Sequence, residues 1–378
     1  MRRVLGTLGV LAATVTCVSA VTSSGATSPR VSKALEFDSP SGLAVAAGHL
    51  WVTNEAGNSV SEIDPSNGAW TATFTRARGY RFNRPTAITP AGADLFIANA
   101  AGSVLEMRAT TGALVRVIPN THAAFADPVA ISHSGDVILV LNAGRASSSS
   151  PLAGSITELD ARTGSVLRTI KGSALAFDDP AAMTVSGPDV FVADKGNNSV
   201  TEVAVASGRL VRVVAGEGLD APDGIAVQDG NVWVSDSAAN SATEINAVSG
   251  QAVVTETDSD GQYGFGAPLM AIGTGGYVYI ASPYGTSPMV TKLSATSGQP
   301  SWYMCNTNGP YYFSNLSAFA LDGGNLWVAS RTGANSQTPG ASTGSLTELS
   351  TGSGALIMTL PLPPPSTTTT TTTTTTTP

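Results

Sequence analysis

Seven times along this chain a short run of small or polar residues closes on a glycine, at Gly68, Gly112, Gly164, Gly208, Gly250, Gly298 and Gly354. The copies read PSNG, ATTG, RTG, ASG, VSG, TSG and TGSG. A unit that returns every ~40–50 residues cannot bury its apolar face alone and must stack on the next copy, so such a period builds a solenoid, a propeller or an array.

The interior of each copy selects among these. The fourth runs from Phe177-Asp-Asp-Pro180 through AAMTV, a Gly-Pro turn, VFVAD, the polar turn KGNN, SVTEV, the turn ending at Gly208, and RLVRVV. These are short β-prone runs separated by Gly, Pro, Asn and Asp, with no stretch of helical period. Four antiparallel strands per copy are the content of one propeller blade. The pattern therefore predicts an all-β, seven-bladed β-propeller of four-stranded antiparallel blades over residues 27–360.

Two ladders across the copies fit that prediction. One position in the second strand reads Trp51, Phe96, Leu139, Phe191, Trp233, Tyr279 and Trp327. A lone four-stranded sheet would leave these side chains in water, whereas stacked blades bury them, at roughly 1.5–3 kcal/mol each. They read as core. The second ladder sets Glu106, Glu158 and Glu202 ten residues before Arg116, Arg168 and Arg212, around the turn glycine. A hairpin would bring acid opposite base, worth about 0.2–1 kcal/mol per pair. Glu62, Glu244 and Glu348 keep the acid without the arginine, and Lys292 replaces it. A glutamate recurring inside a regular hairpin reads as structural rather than catalytic.

The phrases NSVSEID, GNLWVAS and FDDPAAMTV, reiterated along residues 37–360, resemble the NHL-repeat and YVTN-like propellers and the wider relatives of streptogramin (virginiamycin B) lyase. The resemblance implies the propeller. It does not imply one activity, since this architecture hosts enzymes, sensors and binding scaffolds. A lyase of that kind would need histidines and a glutamate gathered with a metal on one face. Here His49 and His133 fall near turns of the opposite face and His122 stands alone in a loop, so those roles are not transferred. Gluconolactonase-like relatives use carboxylates and an asparagine around a divalent cation, which stays open.

The ends read differently. MRRVLGTLGVLAATVTCVSA has two arginines, a short apolar run and the small-residue pattern Val18-Ser19-Ala20, as a secretory signal does and a membrane span does not. Residues 1–26 are thus expected to be a signal, cleaved near Ala20 or Ala26, which removes Cys17 and leaves Cys305 as the one mature cysteine. Residues 361–378 carry Pro361-Leu-Pro-Pro-Pro-Ser366 and the eleven threonines Thr367–Thr377; such a tract cannot bury a core and is expected to form a stalk. The formal net charge is −8 and no basic stripe runs through the blades, which argues against nucleic acid. A secreted or cell-wall-associated monomer, with no transmembrane segment in the mature chain, is expected.

Candidate sites follow from the blade geometry. Residues just after the first-strand prolines should border the channel: Ser41, Thr86, Val129, Ala181, Asp223, Leu269 and Ser317. One charge among seven does not make an elaborate active centre. Asp194, Asp223 and Asp236 form the candidate metal set, with Ca²⁺ the cation such oxygens would take. The competing reading is that strand-end Asp and Asn cap their own turns, as Asn54, Asn99 and Asn142 would. The irregular loops supply the candidate ligand-binding residues: Arg76, Arg78, Arg81 and Arg84 in RARGYRFNR, and Trp302, Tyr303, Tyr311 and Tyr312 in WYMCNTNGPYYF. Aromatics plus arginine on one face suit an extracellular protein or glycan partner; the competing reading is that the Tyr and Trp finish a strand and plug the junction near the closing blade. The leading expectation is a non-catalytic binding scaffold with no cofactor; the alternative is a metal-dependent hydrolase or lactonase using the acidic patch over the fourth and fifth copies.

Overall fold

The computed structural model describes residues 37–120, 124–144, 153–175, 177–258, 265–268, 270–283, 288–305, 313–331 and 344–360. Among the described residues twenty-eight strands, β1 to β28 in chain order, form seven four-stranded antiparallel sheets. Blade 1 holds β1 (Pro40–Ala46), β2 (His49–Asn54), β3 (Ser59–Asp64) and β4 (Ala69–Thr75), hydrogen-bonded in that order. The remaining blades open with β5 (Pro85–Ala91), β9 (Pro128–Ser134), β13 (Pro180–Ser186), β17 (Pro222–Gln228), β21 (Met270–Thr274) and β25 (Leu316–Asp322). These first strands contact one another all the way round, β25 against β1 included, and line the central channel.

The second strand is the centre of each blade. In blade 1 five of its six residues are buried, because both sides are covered by neighbouring sheets. Trp51, Leu139, Trp233 and Trp327 are wholly buried, and Phe96, Phe191 and Tyr279 nearly so. The core comprises a chain of inter-blade clusters rather than one central mass, as stacked repeats require.

The signature glycines have a double cause. Each turns with positive φ, from 67° to 72°, a region where side-chain-bearing residues are strained. Each also lies against the fourth strand of the preceding blade. A Cβ on Gly112 would stand 2.0 Å from Phe74, one on Gly164 2.8 Å from Arg116 Cδ, and one on Gly68 2.9 Å from Leu360. The same contact recurs at Gly208 on Arg168, Gly250 on Arg212, Gly298 on Glu256 and Gly354 on Met304 and Trp302. The repeat's most visible letter is therefore the place where blade meets blade.

The glutamate–arginine ladder occupies that seam. Glu106 faces Arg116, Glu158 faces Arg168 and Glu202 faces Arg212 in the hairpin register, with N–O separations of 2.7, 2.5 and 2.5 Å. The carboxylates are almost completely buried, so these are not the surface pairs that sequence spacing alone suggests. The guanidiniums reach further, donating to main-chain carbonyls of the next blade's turn: Arg116 to Arg162 (2.8 Å), Arg168 to Val205 (2.6 Å) and Arg212 to Val248 (2.8 Å). Where arginine is missing, a side chain from the second strand's start meets the acid: His49 Nδ1 lies 3.3 Å from Glu62, and Asn231 and Asn325 donate to Glu244 and Glu348. Lys292 lies over the Tyr277 ring and donates to the Thr351 carbonyl, keeping the link to the next blade.

Ring closure uses the ordinary inter-blade contacts. The last blade takes all four strands from residues 316–360, and Gly68 packs on Leu360 and Met358. Phe37 forms an isolated bridge with Gly344 and its ring lies 5.1 Å from Trp70. Among the described residues the first and last blades meet by packing; residues 28–36 lie outside the described residues. No helix among the described residues is long and apolar enough to cross a membrane.

Candidate functional site

One face of the ring carries the loops that lead into each first strand and the turns that follow each second strand, because strand direction alternates from Pro40 outward. At its centre is a cavity of about 530 Å³ lined by Ser41, Thr86, Val129, Ala181, Asp223, Ser317 and Arg331 among others. Six of the seven predicted channel residues are present; Leu269 lies outside the described residues.

The hydroxyls of this ring hold the blades together. Ser41 donates to the Pro85 carbonyl at 2.7 Å, Thr86 to the Pro128 carbonyl at 2.9 Å, and Ser317 to the Pro40 carbonyl at 2.7 Å. Each bond joins the first strand of one blade to the first residue of the next. A hydroxyl whose proton is committed to a main-chain carbonyl, with no base beside it, is a poor nucleophile.

The three candidate metal ligands are engaged separately. Asp194 accepts from the Asp178 N–H at 2.8 Å and from Asn197 Nδ2 at 3.2 Å. Asp236 accepts from the Asp220 N–H at 3.4 Å, Thr243 Oγ1 at 2.9 Å and Ser241 Oγ at 3.5 Å. Asp223 is paired with Lys195, its two oxygens 3.1 and 2.8 Å from Nζ. Among the described residues no three His, Cys, Asp or Glu side chains gather as a metal-binding group. Asp194 and Asp236 repeat what Asn99 and Asn142 do for the Asn83 and Ala126 N–H groups, always sixteen residues back. Burial pushes the Asp194 carboxyl up to about 6 and that of Asp236 up to about 7.

The arginine loop is built by alternation. Arg76–Arg78 form one 3₁₀ turn ended by Gly79 at φ 90°. Beyond it Tyr80 and Phe82 turn inward: Phe82 is wholly buried, the two rings stack at 5.5 Å, and the Tyr80 hydroxyl donates to the Gly112 carbonyl at 2.6 Å. Arg76, Arg78, Arg81 and Arg84 point out and are all exposed. Arg84 pairs with Glu55 at 2.8 Å, and the other oxygen of Glu55 pairs with Arg331 at 2.8 Å. The cations thus run from the rim of blade 1 toward the channel mouth.

Trp302 and Tyr303 follow the competing reading, in which they finish a strand, rather than an irregular loop. They lie within β24 (Pro300–Cys305), the outer strand of blade 6, where both are half-buried. Trp302 packs 5.7 Å from Tyr279 and against Gly354, so its ring serves the seam to blade 7. Tyr311 and Tyr312 lie outside the described residues, as does His122. His49 and His133 stand near the first-to-second-strand turns, on the face opposite the cavity, as their spacing predicts.

Sequence alone singles out none of Arg331, Lys195 and Glu55, and so neither the Lys195–Asp223 pair nor the pairing of Glu55 with Arg84 and Arg331. A signal existed: all three directly follow the last residue of a second strand, at Ser330, Asp194 and Asn54. That repeat position points across the ring, which is why each of its charged occupants reaches a neighbouring blade.

No protein-family model matches the chain, and no curated protein does. Solved structures do. Virginiamycin B lyase from Staphylococcus aureus superposes with a TM-score of 0.62 at 14% identity, covering 78% of this chain and 94% of that one. The computationally designed protein Ika8 gives 0.60 at 15% identity over 85% and 87% of the two chains. BamB from Moraxella catarrhalis gives 0.51 at 15% identity over 81% and 82%. At these identities the likeness concerns the fold alone, a β-propeller.

Proposed function

We propose that this protein is a secreted, non-catalytic scaffold that binds an extracellular partner, protein or carbohydrate, through the face carrying the lead-in loops. The observation that supports it most directly is the contrast on that face. The hydroxyls of Ser41, Thr86 and Ser317 and the carboxylate of Asp223 at the cavity, and the buried Asp194 and Asp236 at their strand ends, are committed to structural partners. In the first lead-in loop, by contrast, Arg76, Arg78 and Arg81 are held out to solvent on a rigid support. Groups kept free on a stiff frame suit recognition, because little side-chain and loop ordering remains to be paid on binding. The signal-like N-terminus and the Pro/Thr tract support an extracellular setting.

The test separates this reading from a metal-dependent hydrolase. Labelled full-length protein is sedimented with insoluble cell-surface polymer, and the same preparations are assayed for ester and lactone hydrolysis with and without Ca²⁺. The scaffold reading expects Arg81→Ala to lower the bound fraction, Asp223→Ala to leave it unchanged, and no turnover in any sample. Calcium-dependent turnover abolished by Asp223→Ala would replace it with the hydrolase.

A further inference from the structure

We propose that the loop Arg76–Arg84 is a binding site for an anionic glycan, a polymer bearing carboxylate, sulfate or phosphodiester groups; this deepens the scaffold reading and rests on it.

Three observations carry the inference. First, the charge is local and uncompensated. In a chain of formal net charge −8, four arginines fall within nine residues, and Arg331 joins them through Glu55. Of these five, Arg84 and Arg331 share the single carboxylate of Glu55. Arg76, Arg78 and Arg81 have no ion-pair partner among the described residues, as Arg162 and Arg209 have none, whereas Arg108, Arg116, Arg168 and Arg212 each have one; what sets the loop apart is that three such arginines stand within six residues. A planar guanidinium fork matches carboxylate, sulfate and phosphate oxygens bidentately.

Second, the loop is stiff. The inward residues Tyr80 and Phe82 stack on each other, Tyr80 meets Phe74 edge-on at 5.4 Å, and Phe82 belongs to the core shared by blades 1 and 2. Gly79 closes the 3₁₀ turn with its N–H bonded to the Arg76 carbonyl. The backbone that carries the arginines is therefore held in place, a support for a linear polymer with charge at intervals.

Third, the Arg76–Arg84 loop lacks what a protein or a nucleic acid would use. Protein hot spots centre on exposed aromatic or apolar anchors, and single-stranded nucleic acid needs exposed rings on which bases stack. Tyr80 and Phe82 are turned inward. The large apolar residues that are exposed among the described ones, such as Leu167, Val211 and Val253, lie in fourth strands or the turn leading into one. What remains outward in this loop is guanidinium.

The experiment titrates full-length protein against dextran sulfate, polygalacturonate and polyglycerol phosphate. Neutral dextran, polyglutamate peptide and duplex DNA serve as comparison arms. The variant R76S/R78S/R81S is paired with R162S/K171S/R209S, which removes equal charge from other exposed positions. The inference expects at least one anionic glycan to bind, about tenfold or more weaker binding by the loop variant, near-unchanged binding by the control variant, and loss of binding as salt rises above about 0.2 M. Equal loss in both variants, or DNA and polyglutamate binding as tightly as the glycans, would overturn it in favour of unspecific charge attraction. Neutral dextran or polyglutamate bound through the same arginines, with no anionic glycan bound, would sink the glycan inference while leaving the scaffold. No binding by any arm, in a protein whose thermal midpoint is normal, would also sink it; the sedimentation assay then judges the scaffold reading separately.

Discussion

Replacing Asp236 with asparagine should make this protein more stable at neutral pH, and less so as the pH falls. Asp236 is wholly buried at the end of its second strand. Burial raises its carboxyl from 3.8 to about 7, against the smaller opposing effect of hydrogen bonds from Thr243, the Asp220 N–H and Ser241. The folded state thus holds the proton more tightly than the unfolded state. For such a group the stabilising contribution is full below about pH 3.8 and is lost as pH rises toward 7. The gap corresponds to about 1.36 kcal/mol per pKa unit, so the ionisable group costs up to about 4 kcal/mol at pH 7. Asparagine avoids that cost without losing the network. In blade 3, Asn142 accepts from the Ala126 N–H and donates to Ser155 Oγ (3.3 Å) and Thr157 Oγ1 (3.1 Å), the counterparts of Asp220, Ser241 and Thr243. Asn54 likewise donates to Ser59 and Ser61. Denaturant unfolding of wild type and Asp236→Asn at pH 7.5 should show a gain of about 2–4 kcal/mol, shrinking toward zero by pH 4. A destabilised variant at pH 7.5, or a gain independent of pH, would refute the argument that ionisation of a buried carboxylate is what costs stability there.

Three further outcomes are expected. Gly112→Ala meets both a positive φ of 67° and the Phe74 ring, and should lose about 2–4 kcal/mol in the same unfolding assay; Gly92→Ala, also at positive φ but in open space, should lose about 1. Arg168→Met should cost about 3–5 kcal/mol because Glu158 stays behind as an uncompensated buried charge, while Arg168→Met with Glu158→Gln should recover much of that; a double-mutant cycle reads the difference. Melting in millimolar Ca²⁺ and in excess chelator should give one midpoint, since Lys195 already neutralises Asp223; a calcium-dependent rise removed by Asp223→Ala would show a metal site instead.

Much of the architecture was legible because a propeller repeats itself. Trp51, Phe96 and Trp233 announce a buried centre by recurring at one strand position, and the Glu–Arg spacing predicts the hairpin register that the pairing of Glu106 with Arg116 realises. The candidate site was legible only in part. The exposed arginines were visible as a cluster. Their separation from Tyr80 and Phe82 was not, because an irregular loop has no period to say which side chain faces in. Trp302 and Tyr303 misled for the opposite reason: their run is irregular as sequence yet continues the regular strand β24.

The amino-acid sequence by itself determined the unit: four short strands, a glycine turn, an aromatic centre, seven copies. Those depend on neighbours a few residues apart, where alternation and turn chemistry act directly. Only the tertiary structure decided which charges are free. Glu55 meets Arg331 across 276 residues, and Ser317 reaches the Pro40 carbonyl across 277, contacts that exist only once the ring closes and brings first and last blades side by side. Ionisable groups act over a few ångströms of space rather than along the chain, so their partners, and with them the arginines left open for recognition, belong to the closed ring.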